Sequence, residues 1–293
     1  MIVDIDDIRF ARFVVPLLAA SLLAAACQPV ASLAKPTPSP TPTPTHVFVI
    51  VLENTSYQLA LRQPYIASLA RQYGLATNYS AISSPSLPNY LAMTSGSTWG
   101  IQDDNFHRLP ATGLGNQLTR AGISWKAYTE GFTGDCFNSP YPYTLKHNPF
   151  AYYGGECPPN VVPMSDLTSD LTGQVPQLAW ITPGMCNDGH DCGVARSDRW
   201  LSQAVPEIQR SKAWQQGGVL FITWDEGSGD GSQVALLVVA RNVRGRLTMA
   251  LNHYSLLATI SDRLGVGRLG QSRQATSLKR QLEAGISASP SGG

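Results

Sequence analysis

Charge is scarce in this chain of 293 residues: 14% are Asp, Glu, Lys or Arg, and the formal net charge is +1. No run of Lys or Arg concentrates that charge, so the basic face that nucleic acid requires is missing and nucleic acid is not expected as a partner. Long apolar runs are also few. The N-terminal stretch from Phe13 to Ala26 is too short to span a bilayer comfortably. Cysteine is sparse, with five in total, and no CxxC pair suggests a zinc knuckle. What is present is ample apolar material, 43% of the residues, enough for one large domain or two small ones.

The N-terminus reads as a targeting segment. Arg9 and Arg12 precede the apolar stretch, which ends Leu23-Ala-Ala-Ala-Cys27. Small residues running into a cysteine predict a bacterial lipoprotein signal over 1–26, with Cys27 lipidated and anchoring the protein to the membrane. An ordinary secretory signal cleaved near the alanines is the alternative, and Asp4, Asp6 and Asp7 are unusual in either. The expected location is the exported, cell-envelope side. Residues 28–45 include the run Pro36 to Thr45, in which Pro alternates with Thr or Ser, which favours an extended polyproline stalk. The globular domain is expected over 46–270, followed by a polar, flexible tail over 271–293. In an exported protein the remaining Cys136, Cys157, Cys186 and Cys192 point to disulfides. Of the three possible pairings, closeness in sequence favours Cys136–Cys157 and Cys186–Cys192.

Val47-Phe-Val-Ile-Val-Leu52 is a continuous apolar run of the kind that forms a fully buried parallel strand, and it empties into Glu53-Asn54. Val219 to Trp224 repeats the arrangement and empties into Asp225-Glu226. Ligands in open α/β sheets lie beyond the carboxyl ends of the strands, so these two pairs are candidates to converge on a cation. Ser86 stands at the start of a helix expected over Leu87–Ser95, with Pro88 in its first turn. Such a serine is ordinarily a cap, but a helix N-terminus also suits an anionic group such as phosphate. From Thr129 to about Asp170 the pattern is irregular, as in a lid or substrate-facing insert. Lys146 and His147 fall there and read as ordinary exposed loop residues. Gln177–Thr182 is another strand, leading to Asn187-Asp188-Gly189-His190-Asp191 inside the second cysteine pair. His253 precedes a helix over Leu256–Leu264 and by itself reads as a surface or capping residue.

The repeated strand–helix order predicts an α/β fold, a three-layer α/β/α sandwich around a mainly parallel sheet. Five segments in order, VIVLENTSY, PSLPNYLAMTSG, ITPGMCNDGHD, TWDEGSG and NHYSLLATI, resemble the bacterial phosphoesterase family that includes secreted acid phosphatases and phospholipase C-type enzymes. That family is similar in fold to alkaline phosphatase. The resemblance implies a divalent metal ion held by Glu53, Asn54, Ser86, Asp225 and Glu226. It also implies Ser86 as nucleophile, Asn54 contacting phosphate, and His190 and His253 contacting phosphate or assisting the leaving group, with Asp188 beside His190. The implied substrates are small phosphate esters. Phospholipid head groups are the alternative, and a catalytically inactive binding protein is the non-enzymatic one. Relatives often carry His-Pro-Ser where this chain has Ser84-Pro85-Ser86, which bears on leaving-group protonation.

Overall fold

The computed structural model describes residues 45–228 and 231–285. The signal, Cys27 and the stalk up to residue 44 lie outside the described residues. Ten strands appear in chain order: β1 Val47–Leu52, β2 Gly74–Ala76, β3 Tyr79–Ser80, β4 Trp125–Thr129, β5 Val161–Pro163, β6 Leu178–Thr182, β7 Val219–Trp224, β8 Leu236–Val239, β9 Gly245–Leu247 and β10 Leu251–Asn252. Eight of them form one sheet in the order β5-β4-β6-β1-β7-β8-β2-β9, and β10 pairs with β3 separately. Every pairing in the large sheet is parallel except those of β8, which runs antiparallel to β7 and β2. The mainly parallel sheet expected from the apolar runs is therefore observed. In β1 and β7 every residue is buried, because helices cover both faces and neither side meets water.

The helices are α1 Tyr57–Leu61, α2 Pro64–Gln72, α3 Ser86–Ser95, α4 Leu114–Arg120, α5 Ser165–Thr172, α6 Val194–Arg210, α7 Lys212–Gln215, α8 His253–Leu264 and α9 Lys279–Ala284. Helices α1, α2, α5, α6 and α7 pack with one another, and α3, α4, α8 and α9 form a second group. The two groups are the outer layers of the sandwich. Asp198 of α6 ties its layer together by accepting the Tyr65 and Ile66 amides at the start of α2, at 3.2 and 2.8 Å. Among the described residues no helix is long and apolar enough to cross a membrane.

Two sequence expectations need correction. The segment 129–170 is less irregular than its composition suggests: it contains β5 on the sheet edge, the first turns of α5 and two 3-10 turns over Leu145–His147 and Pro149–Ala151. The chain beyond residue 270 is not simply a polar tail. Leu278 and Leu282 are buried, and the Leu278 amide donates to Thr259 Oγ1 of α8 at 2.9 Å. Apolar residues spaced by one helical turn seat α9 on the domain. Both favoured disulfides, Cys136–Cys157 and Cys186–Cys192, are formed.

Candidate active site

The centre of the sheet is β6-β1-β7, and the chain segments leaving these strands are joined to one another. The Glu53 amide donates to the Asp188 carbonyl at 3.0 Å, the Asp225 amide to the Leu52 carbonyl at 2.9 Å, and the Thr55 amide to the Glu226 carbonyl at 3.1 Å. Side chains from three strand ends are thereby held against one another by backbone, which is the firmest support available to a site. Asn54 takes a left-handed backbone conformation, φ 49°, which Asn tolerates better than most residues. Its amide reaches Asp225 Oδ1 at 3.2 Å.

Helix α3 brings Ser86 to this crevice as its first residue, after Pro85. The serine does not cap the helix. Its hydroxyl donates instead to Glu53 Oε2 at 3.0 Å. Every residue of α3 is buried, since the helix lies between the sheet and the segments outside it. Asn89 accepts the Ile82 and Ser83 amides at 3.0 and 2.9 Å, which fixes the loop leading into the serine. Gly96 ends the helix at φ 72°. A β-carbon there would collide with the Leu269 carbonyl, so glycine is required by both conformation and space.

His147 is the residue that sequence reading passed over. It is 2% exposed, with Nε2 3.3 Å from Glu53 Oε1 and Nδ1 3.2 Å from Asp188 Oδ2. Its ring stacks on Tyr90, centroids 5.2 Å apart, and the Tyr90 hydroxyl donates to Glu53 Oε1 at 2.7 Å. Burial opposes charge on this imidazole, but Glu53 and Asp188 outweigh it and raise the His147 pKa to about 10. Burial likewise pushes Glu53 up, and the His147 charge with hydrogen bonds from Tyr90 and Ser86 brings it below the ordinary carboxylate value. For Asp188 burial prevails and the pKa is raised. His147 is therefore an internal cation between two buried acids.

Asp225 lacks any comparable partner. Burial, with the Glu53 charge in second place, pushes its carboxyl well above the usual range. Its Oδ2 is buried without a hydrogen-bond partner. Glu226 is half-buried, and its pKa is raised, chiefly by burial. An uncompensated buried carboxylate beside a second one is a costly arrangement unless a cation joins it. Two donor sets share Glu53. One potential ligand atom each from Glu53, His147 and Asp188 lie within 4.8 Å of one another, so this buried group could hold a metal ion. Asp225 Oδ2, buried and unpaired, marks a second place for a cation, where oxygen donors suit a hard or borderline metal.

Of the remaining sequence candidates, His190 stands at the mouth, 27% exposed, with Nδ1 2.8 Å from Asp191 Oδ1. Its amide donates to Asp188 Oδ1 at 2.8 Å. Asp188 is buried against His147 and the His190 amide, so it supports these two residues rather than facing an opening. His253 departs from expectation. It is neither exposed nor a cap, but fully buried. Its Nε2 donates to the Asp225 carbonyl at 2.6 Å, and its Nδ1 lies 2.8 Å from the Tyr79 hydroxyl. Burial lowers its pKa to about 4, so the neutral ring accepts from tyrosine and donates to the carbonyl. Both nitrogens are occupied, and the residue positions the backbone of Asp225 instead of meeting a leaving group.

Comparison with known proteins gives the family and the fold. A phosphate-repressible acid phosphatase of Penicillium chrysogenum is 29% identical over 244 residues, covering 76% of this chain and 59% of the relative. The chain thus spans about three fifths of the length of that fungal relative. A phosphatidylinositol-3-phosphatase of Mycobacterium tuberculosis is 30% identical over 240 residues, covering 78% of this chain and 79% of the relative. In fold the chain is similar to a protein in the alkaline phosphatase superfamily from Vibrio parahaemolyticus, with TM-score 0.59, 11% identity, and coverage of 80% of this chain and 69% of that one. A phosphonate monoester hydrolase of Agrobacterium radiobacter gives TM-score 0.55 at 12% identity, covering 83% and 78%. The model of the Phosphoesterase family matches residues 57–267, with Glu53 and Asn54 immediately ahead of the match. By that match, which takes in Ser86, His147, His190, Asp225 and His253, the chain belongs to the Phosphoesterase family.

Proposed function

We propose that this protein is an exported, metal-dependent phosphoesterase that hydrolyses phosphate monoesters through a phosphoserine at Ser86. The observation that carries the reading is the serine hydroxyl at the start of α3, donating at 3.0 Å to Glu53, which is fully buried. A serine hydroxyl is a weak nucleophile, and proximity to a carboxylate that accepts its proton strengthens it. Glu53, Asn54, Ser86, Asp225 and Glu226 would hold the divalent ion, which when bound lowers the serine pKa and offsets charge on the phosphoryl oxygens.

In the first half-reaction Ser86 Oγ forms a bond to phosphorus as the ester oxygen departs with the bonding pair and takes a proton. His190, which is partly exposed at the mouth, would handle that proton and activate the water of the second half-reaction through Nε2 once that nitrogen is released from Lys146. Water then attacks the phosphoserine, releasing inorganic phosphate and restoring the hydroxyl. His147 keeps Glu53 ionised, and Tyr90 fixes its orientation through Oε1. Ser84, where relatives often have histidine, offers no comparable proton donor, which leaves His190 with that work.

A second reading is hydrolysis of a phosphate on a lipid head group. It is favoured by the Mycobacterium tuberculosis relative, which is matched over most of its own length and named for a phosphoinositide. A lipid anchor at Cys27 would suit that substrate. Turnover of p-nitrophenyl phosphate by the full chain, before and after chelation and on restoring divalent ions one at a time, tests the first reading. Chelator-sensitive release of nitrophenol is expected. Release from phosphoinositide vesicles with none from the nitrophenyl ester transfers the assignment to lipids, and release from neither favours a binding protein.

A further inference from the structure

Polar contacts around the mouth of the site close into a ring. The Ser86 hydroxyl leads to Glu53, Glu53 to His147, His147 to Asp188, and Asp188 to the His190 amide. From His190 Nε2 the next contact is Lys146 Nζ at 3.3 Å, and from that ammonium Asp104 Oδ2 lies at 3.0 Å. Asp104 Oδ1 then accepts the Leu87 amide at 3.0 Å, one residue from Ser86. Lys146 is the ring's one ammonium or guanidinium group. Its side chain is 17% exposed, so the charge stands at the opening and not in the core.

The partners of Lys146 are informative. An ammonium has only protons to offer, so His190 Nε2 accepts from it and the ring proton is on Nδ1, facing Asp191 Oδ1. The other partner, Asp104, is on the donors that an anion beside Ser86 would use. Free amides in the first turn of a helix attract anions. Here Pro85 and Pro88 have no N–H, leaving Ser86 and Leu87 to provide those donors, and Asp104 occupies Leu87. A single carboxylate group therefore engages both a helix-start amide next to the serine and the ammonium at the mouth.

We propose that Lys146 binds the phosphoryl oxygens of the substrate, and that Asp104 is a built-in carboxylate competing with phosphate for Lys146 and the Leu87 amide. The proposal rests on the reading of Ser86 as the residue that attacks phosphorus. Its physical basis is charge. An entering phosphate meets the carboxylates at the mouth, Glu226, Asp104 and Asp191, and these acids repel it. Lys146 opposes that repulsion only when it is released from Asp104. A phosphate with two negative charges displaces a carboxylate with one, whereas weakly charged esters do so poorly, so the competition selects for monoesters.

The alternative is that Lys146 merely fastens the 103–108 segment to α3 through Asp104. The two accounts predict opposite signs for one variant. Inorganic phosphate would be measured as a competitive inhibitor of p-nitrophenyl phosphate turnover by the full chain, in wild type, Lys146→Met and Asp104→Asn. Thermal unfolding of each variant would be recorded alongside. Losing a charge-assisted contact should weaken phosphate inhibition about tenfold or more in Lys146→Met, and removing the competitor should strengthen it about threefold in Asp104→Asn. Weakening in both variants, or a shift in neither, overturns the proposal while leaving the phosphoesterase reading intact. Should Lys146→Met fail to fold, the sign of the Asp104→Asn shift decides alone. Wild type that neither turns over the ester nor binds phosphate would overturn the phosphoesterase reading, and this proposal with it.

Discussion

Replacing His253 separates a positioning role from a chemical one. The ring is fully buried and makes two hydrogen bonds, 2.6 Å to the Asp225 carbonyl and 2.8 Å to the Tyr79 hydroxyl. His253→Ala strands both partners in the core and opens a cavity. Each stranded polar group costs about 1–3 kcal/mol, and with the cavity the loss should be roughly 3–5 kcal/mol. In a domain of this size that corresponds to a fall in Tm of roughly 6–20 °C. Tyr79→Phe removes only the tyrosine contact and should cost about 1–2 kcal/mol. The double variant should then cost less than the sum, because the two changes share one hydrogen bond. Urea or thermal unfolding of the full chain provides the stabilities, and turnover is scored per folded molecule. A His253→Ala protein with unchanged Tm that loses turnover selectively on poor leaving groups would refute the reasoning and restore His253 as a proton donor.

Three further outcomes follow from the same structure. Because burial lowers the His253 pKa from the usual 6.5 to about 4, the native state binds fewer protons than the unfolded chain between those values. Stability should fall as pH drops through that window, by up to roughly 3 kcal/mol from this residue. Unfolding from pH 7 to 4 with chelator present throughout checks this, and His253→Gln should flatten the slope. Gly96→Ala should lower stability by roughly 2–4 kcal/mol, through the left-handed backbone and the clash with Leu269. A Tm equal to wild type would show that the α3 terminus yields. Saturating divalent ion should raise Tm and chelation lower it, with Asp225→Asn reducing the difference, since removing that carboxylate weakens the ion's linkage to folding.

Much of this architecture is written in local patterns. The runs at 47–52 and 219–224 have no polar face, so they require cover on both sides, and each ends on acids that a core could not accept without purpose. Those two facts give the parallel sheet and the crevice at its centre. Ser86 was legible as a helix start, and the short spacings within the cysteine pairs favoured the bonds that form. His147 was not legible. It lies in a segment rich in Gly, Pro, Asn and aromatic residues, with no periodicity to say which way it faces. Its burial comes from Tyr90 on α3 and from acids 94 residues before it and 41 after, at Glu53 and Asp188. The one available signal was that the Cys136–Cys157 bridge encloses it, which marks the segment as held in place. His253 failed differently: Asn252-His-Tyr-Ser255 does form a capping box, but the cap belongs to Asn252 and Ser255. The histidine is turned inward by contacts with Tyr79 and the Asp225 carbonyl, residues that no local pattern connects to it.

The most direct test of the account is to trap the covalent state. The full chain would be mixed with p-nitrophenyl phosphate and divalent ion, quenched in acid and digested, and the peptide carrying Ser86 weighed. The account predicts a mass increase of one phosphoryl group on that serine, absent from Ser86→Ala, whose turnover is also lost. Undiminished turnover by Ser86→Ala, or a phosphoryl group on another residue, would contradict it.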